Sequence, residues 1–126
     1  MSIYYLLQGA STTSLAPTLA KQPANPVIPP PPSPGTGSPV TNLGFAVTVQ
    51  APGGTSCGAV VTVVASNDYN SAQNSGNWAT LTTITIASGV GPQTTITSMV
   101  APYGAYGAYM PTITGAGATV TCSMSA

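Results

Sequence analysis

The stretch VVTVVASNDYNSAQNSGNWATLTTITI, residues 60–86, decides the fold, because it reads as an apolar strand, a polar loop and a second strand led by a tryptophan. Val60, Val61, Val63 and Val64 form a β-branched run, which fits a pleated, buried surface. Ser66-Asn67-Asp68 closes the run with side chains that bond their own backbone and tolerate turn geometry. From Trp78 the even positions Trp78, Thr80, Thr82, Ile84 and Ile86 fall on one face and Leu81, Thr83 and Thr85 on the other. This parity predicts Val61, Val63, Trp78, Ile84 and Ile86 in the core. A hairpin alone is marginal in water, so the rest of the chain must supply the sheet that buries it.

Working outward, Leu43 to Gln50 alternates cleanly, with Phe45, Val47 and Val49 inward and Ala46, Thr48 and Gln50 outward. It predicts a half-buried strand. Ala51 to Gly54 (APGG) is a turn, and Cys57 opens the hairpin. After Ile86 the chain breaks at ASGVGPQ. Gln93 to Ser98 follows as a Thr-rich strand whose one large apolar side chain is Ile96. Ala101-Pro102-Tyr103 marks a corner, since Pro102 cannot donate to a ladder. Thr114 to Gly117 is a turn, and Ala118 to Met124 is the last strand, with Val120, Cys122 and Met124 inward. About six strands with frequent turns and no credible helix predict an all-β fold: a small antiparallel β-sandwich or jelly roll. The domain spans residues 41–126.

Tyr103, Tyr106 and Tyr109 sit three apart, but Gly104, Gly107, Pro102 and Pro111 argue against a helix. They read as tyrosines packed at a sheet edge with wet hydroxyls, or as an aromatic contact patch for a partner or a sugar.

The first 40 residues differ in kind. Residues 1–16 hold the apolar run Ile3-Tyr4-Tyr5-Leu6-Leu7, too sticky to leave in water. As an anchor it would pair as a strand or plug a pocket, on its own domain or on a neighbour. It lacks the basic flank of a signal peptide and the length of a membrane span. Residues 17–40 contain nine of the 13 prolines, among them Pro29, Pro30, Pro31 and Pro32. Such a run favours polyproline II and could extend on the order of 70 Å as an arm or linker. The expected partner contacts are therefore the Ile3–Leu7 anchor and the Pro29–Pro32 run.

Charge narrows the function. Lys21 and Asp68 are the only charged side chains among 126 residues, and there is no histidine. Acid–base catalysis needs a group that titrates near the working pH, and metal sites need clusters of His, Cys or carboxylate. Neither can be built here, so no enzyme activity and no cofactor are expected. Nucleic-acid binding through phosphates fails for want of basic residues. A free monomer with no charge to repel its neighbours should associate, so most of this surface is expected to work inside a larger assembly, with copies of itself among the partners. Cys57 and Cys122 read as two small buried apolar residues, with a disulfide between sheets as the alternative.

One resemblance follows from the motifs. Ser66-Asn67-Asp68, then Asn77-Trp78-Ala79-Thr80-Leu81, the corner Ala101-Pro102-Tyr103 and the ending Thr114-Gly115-Ala116-Gly117-Ala118-Thr119-Val120-Thr121 resemble a small β-sandwich of tailed-bacteriophage virion proteins, over roughly residues 43–124. The loop Asp68–Asn77 is longer than that pattern, and Tyr-Gly-Ala-Tyr stands where a basic residue is common. The resemblance implies a structural virion protein of the capsid decoration, or cement, type. It would be made in the host cytoplasm and sit on the capsid surface as an oligomer bound to the major capsid protein, without nucleic acid or membrane, its arm lying across neighbouring subunits. A tail or head-fibre module stacking a host glycan on Trp78 or the tyrosines, and a self-assembling filament or surface-layer subunit, are the competing readings.

Overall fold

A computed structural model describes residues 3–28, 42–100 and 103–125. Among these residues seven strands form in chain order: β1 (Ile3–Ala10), β2 (Asn42–Gln50), β3 (Cys57–Ser66), β4 (Ala79–Gly89), β5 (Gln93–Val100), β6 (Ala105–Thr114) and β7 (Thr119–Ser125). They pair antiparallel throughout, as a four-stranded sheet in the order β1-β7-β2-β5 and a three-stranded sheet in the order β4-β3-β6. The two sheets face each other across one apolar core, a β-sandwich. A single 3-10 turn, Pro52–Gly54, is the only helical element among the described residues.

Alternation explains the core. Phe45, Val47 and Val49 of β2, Val61 and Val63 of β3, and Val120, Cys122 and Met124 of β7 are all fully buried on the facing sides, joined by Ile84 and Ile86 of β4. Phe45 meets Tyr106 across the sheets at 6.4 Å between ring centroids. Such pairs add about 0.5–1.5 kcal/mol beyond the area they bury. Cys57 and Cys122 are free thiols inside this core, and burial pushes the Cys122 thiol up to about 12.

Two expectations change. Ile3–Ala10 is the edge strand of the chain's own sheet, paired to β7. Register shifts flank Leu7, where Tyr5 faces Ser123 and Leu7 faces Cys122, leaving Leu6 as the extra residue of a bulge. A bulge lets consecutive residues point the same way, so Leu6 and Leu7 are both buried. Gly9, at φ +62°, absorbs the second shift and donates its N–H to Thr121 Oγ1. Trp78 is the other change: it precedes β4 and lies outside the core, half-buried. The ladder shifts between Val63 and Val64, which pair with Thr82 and Thr80. Beyond that shift Ala79 faces the buried Ala65. Opposed residues share a face, so beyond the shift the parity of β4 reverses: Leu81, the extra residue, packs partly against the core and Trp78 falls on the outer side.

The corner from β4 to β5 switches sheets over three residues. Gln93 ties it: its Nε2 lies 2.8 Å from Cys57 O, 3.1 Å from Ala87 O and 3.3 Å from Gly89 O.

Candidate functional site

Residues 11–28 do not stand off as an arm. They run along the free edge of β6, where Ser14 N–H donates to Met110 O and Met110 N–H to Ser14 Oγ. Further on, Val27 and Tyr106 exchange two 2.8 Å backbone bonds. An unpaired strand edge carries backbone groups that need partners, and this segment supplies them. Pro23 closes over Gly107, where an added Cβ would lie 2.7 Å from Pro23 Cβ and 3.5 Å from Val64 Cγ2. The side chains of Gln22 and Asn25 fasten the segment to Gly76 O and Tyr5 O. The expected contacts Pro29 to Pro32, like Ala101 and Pro102, fall outside the described residues.

The three tyrosines go to three places. Tyr106 is buried in the core, and its hydroxyl accepts the Tyr103 N–H at 2.8 Å; burial raises its pKa above 10.0. Tyr103 lies exposed against it at 6.3 Å, edge to face. Tyr109, paired with Thr62 on the outer side of β3, is half-buried. A spacing of three along a strand puts residues on opposite faces, so the expected sheet-edge row with wet hydroxyls does not form.

A different aromatic pair does form. Tyr69 and Trp78 lie 5.3 Å apart at the tip of the β3–β4 hairpin. Asp68 knots the loop, its carboxylate accepting from Ser66 Oγ, Asn77 N–H and Asn77 Nδ2. These donors favour the ionised form and lower its pKa below 3.8.

Among the described residues, the outer side of the four-stranded sheet is left without an intramolecular cover. The register sets its residues in rows: Ile3, Ser125, Gly44 and Ser98; Tyr5, Ser123, Ala46 and Ile96; then Thr121, Thr48 and Thr94. Ile3, Tyr5 and Ile96 are 59%, 44% and 75% exposed. Between Ile3 and Ile96 the small residues Gly44, Ala46, Ser123 and Ser125 floor a shallow groove of about 270 Å³. Thr48 and Thr94 pair hydroxyls at 2.8 Å beside it. The face carries no charge. The sequence reading names Ile96 as the one large apolar side chain of its strand without assigning it a face; the register sets it on the outside of β5, opposite Ala46.

A second depression of about 310 Å³, between Gln50, Pro52, Pro92 and Thr119, also lacks a titratable lining. Among the described residues no three His, Cys, Asp or Glu side chains gather as a metal would need, and no helix is long and apolar enough to cross a membrane. What the described residues of this face offer is contact area. Compared with known proteins, the chain matches no family model, no curated protein and no solved structure.

Proposed function

We propose that this chain is a non-catalytic structural subunit of a larger particle, and specifically a decoration (cement) protein on a tailed-phage head. The observation that carries the reading is the bare, charge-free face around Ile3, Ala46 and Ile96. Leaving a large aliphatic side chain in water forgoes about 1.5–3 kcal/mol that burial would return. Two such residues, Ile3 and Ile96, on either side of a groove mark a surface meant to be covered.

The particle implied by the motif resemblance is an icosahedral shell, and the partner is the major capsid protein on its outer surface. Each copy that binds the assembled lattice better than free subunits raises the cost of opening the shell. With one cation and one anion in the chain, apolar contact and backbone hydrogen bonds carry the binding, which is therefore insensitive to ionic strength.

The test is cryo-electron microscopy of purified particles, with heat-induced opening measured in parallel. Removing the N-terminal segment would strip β1 from β7, so Ala46→Lys, at the groove floor, is the cleaner probe. Coating of the shell by the native chain, with lost occupancy and earlier opening for the variant, supports the role. Density confined to a tail or fibre moves the chain to the recognition reading. That second reading draws on the Tyr69–Trp78 pair and its neighbouring amides, and would appear as a shifted Trp78 indole signal on adding host glycans.

A further inference from the structure

We infer that β5 is an assembly edge, and that a second copy of this chain pairs with it antiparallel across a two-fold axis at Ile96. This deepens the structural-subunit reading by naming the partner of one edge, while the adjoining face remains for the lattice.

The sandwich has four sheet edges, and three are defended. β6 is covered by Ser14 and Val27. β1 carries two register shifts against β7, and β4 carries two against β3. Irregular or covered edges do not template another strand. β5 pairs with β2 over eight consecutive positions, Asn42–Val49 against Gln93–Val100, without a shift. From Gln93 to Val100 it has no proline and no charge, and among the described residues nothing pairs with its far side. A straight, neutral, uncovered strand is what an added strand requires.

The occupant follows from the strand's own sequence. Thr94-Thr95-Ile96-Thr97-Ser98 reads nearly the same in both directions about Ile96. A symmetric antiparallel pair places Ile96 opposite Ile96, Thr95 opposite Thr97, and Thr94 opposite Ser98. Hydroxyl then meets hydroxyl, and the two exposed isoleucines bury each other at cross-strand distance. A two-fold interface brings each charge against its own copy, and here the strand has none to repel. The axis stands perpendicular to the sheet, so two four-stranded sheets become one of eight strands and both outer grooves face the same way.

Sedimentation analysis of the native chain at micromolar concentration should give twice 12.4 kDa. Ile96→Lys should raise the dissociation constant by about a hundredfold, from the loss of two mutually buried isoleucines, with circular dichroism unchanged. Ile96→Cys should form an intermolecular disulfide on mild oxidation, whereas Thr48→Cys, one strand inward, should not. A monomeric native chain overturns the pairing, and so does a dimer that survives Ile96→Lys and fails to cross-link through Ile96→Cys. A monomer that still coats shells would remove this inference and leave the decoration role standing.

Discussion

Trp78 Nε1 donates a 2.6 Å hydrogen bond to Gln22 Oε1, joining the foot of β4 to a segment 56 residues earlier. Gln22 Nε2 in turn reaches Gly76 O at 3.3 Å. One amide thus bridges the hairpin tip and the segment that covers β6. The tryptophan just before β4 holds down the N-terminal segment rather than filling the core.

Gln22→Ala removes both bonds and leaves the indole N–H to water. A loss of about 1 kcal/mol is expected, concentrated in residues 11–28. Hydrogen exchange should speed at the Val27 and Tyr106 amides, which bond each other, while Phe45 and Val47 in β2 stay protected. A uniform rise across all strands would show that the segment is not a separately opening unit.

Gly107 and Pro23 give a sharper probe of the same contact. Gly107→Ala puts a methyl 2.7 Å from Pro23 Cβ, a clash expected to cost about 1–3 kcal/mol. Pro23→Gly removes the obstructing ring. In a double-mutant cycle followed by chemical denaturation, the pair should cost less than the sum of its singles. Strict additivity would mean that the methyl is accommodated elsewhere.

What the sequence makes legible follows from how far each contact lies along the chain. Phe45, Val47 and Val49 alternate because one face of β2 is buried, and period two needs no knowledge of the partner. The same logic finds Val61, Val63, Ile84, Ile86, Val120 and Cys122. It fails at Trp78 because the shift between Val63 and Val64 is a property of the ladder, invisible in β4 alone. It leaves Leu6 and Leu7 undecided for the same reason, since adjacent leucines share a face only where a bulge permits. The proline-rich start reads as an extended spacer; residues 17–28 are mostly without regular structure but do not stand off from the domain. What composition could not tell is that the Val27 N–H meets the edge of β6 at Tyr106 O. Of the candidate site, the missing charge was readable and the bare face was not, because Ile96 looks like any core isoleucine until its strand is placed at an edge.

Tyr106 and Tyr103, three residues apart, should respond in opposite ways. Tyr106→Ala empties a fully buried ring beside Phe45 and is expected to cost about 3–5 kcal/mol. Tyr106→Phe keeps the ring but strips the hydroxyl that accepts the Tyr103 N–H, at about 1–2 kcal/mol. Tyr103→Ala, at an exposed position, should stay within about 0.5 kcal/mol. Equal small effects of Tyr106→Ala and Tyr103→Ala in thermal unfolding would return both tyrosines to a surface patch.

The pH dependence of stability should be a plateau with two identifiable ends. Asp68 is the one acidic side chain, and the donors from Asn77 and Ser66 hold its folded pKa below 3.8. A lowered folded pKa gives stability that is present above the unfolded value and lost as pH falls through the folded one. The acid limb therefore begins below pH 3.8, and Asp68→Asn should abolish it. At the other end, burial raises Cys122 from 9.0 to about 12, and Tyr106 above 10.0. Both are neutral when protonated, so their stability is complete below pH 9 and declines as pH climbs toward about 12. Cys122→Ala should flatten the first part of that decline and Tyr106→Phe the later part. With no histidine to titrate, the unfolding midpoint should be level from about pH 4 to 9. A slope between pH 5 and 8, measured by calorimetry at constant ionic strength, would overturn the plateau, because no side chain of this sequence ordinarily titrates there.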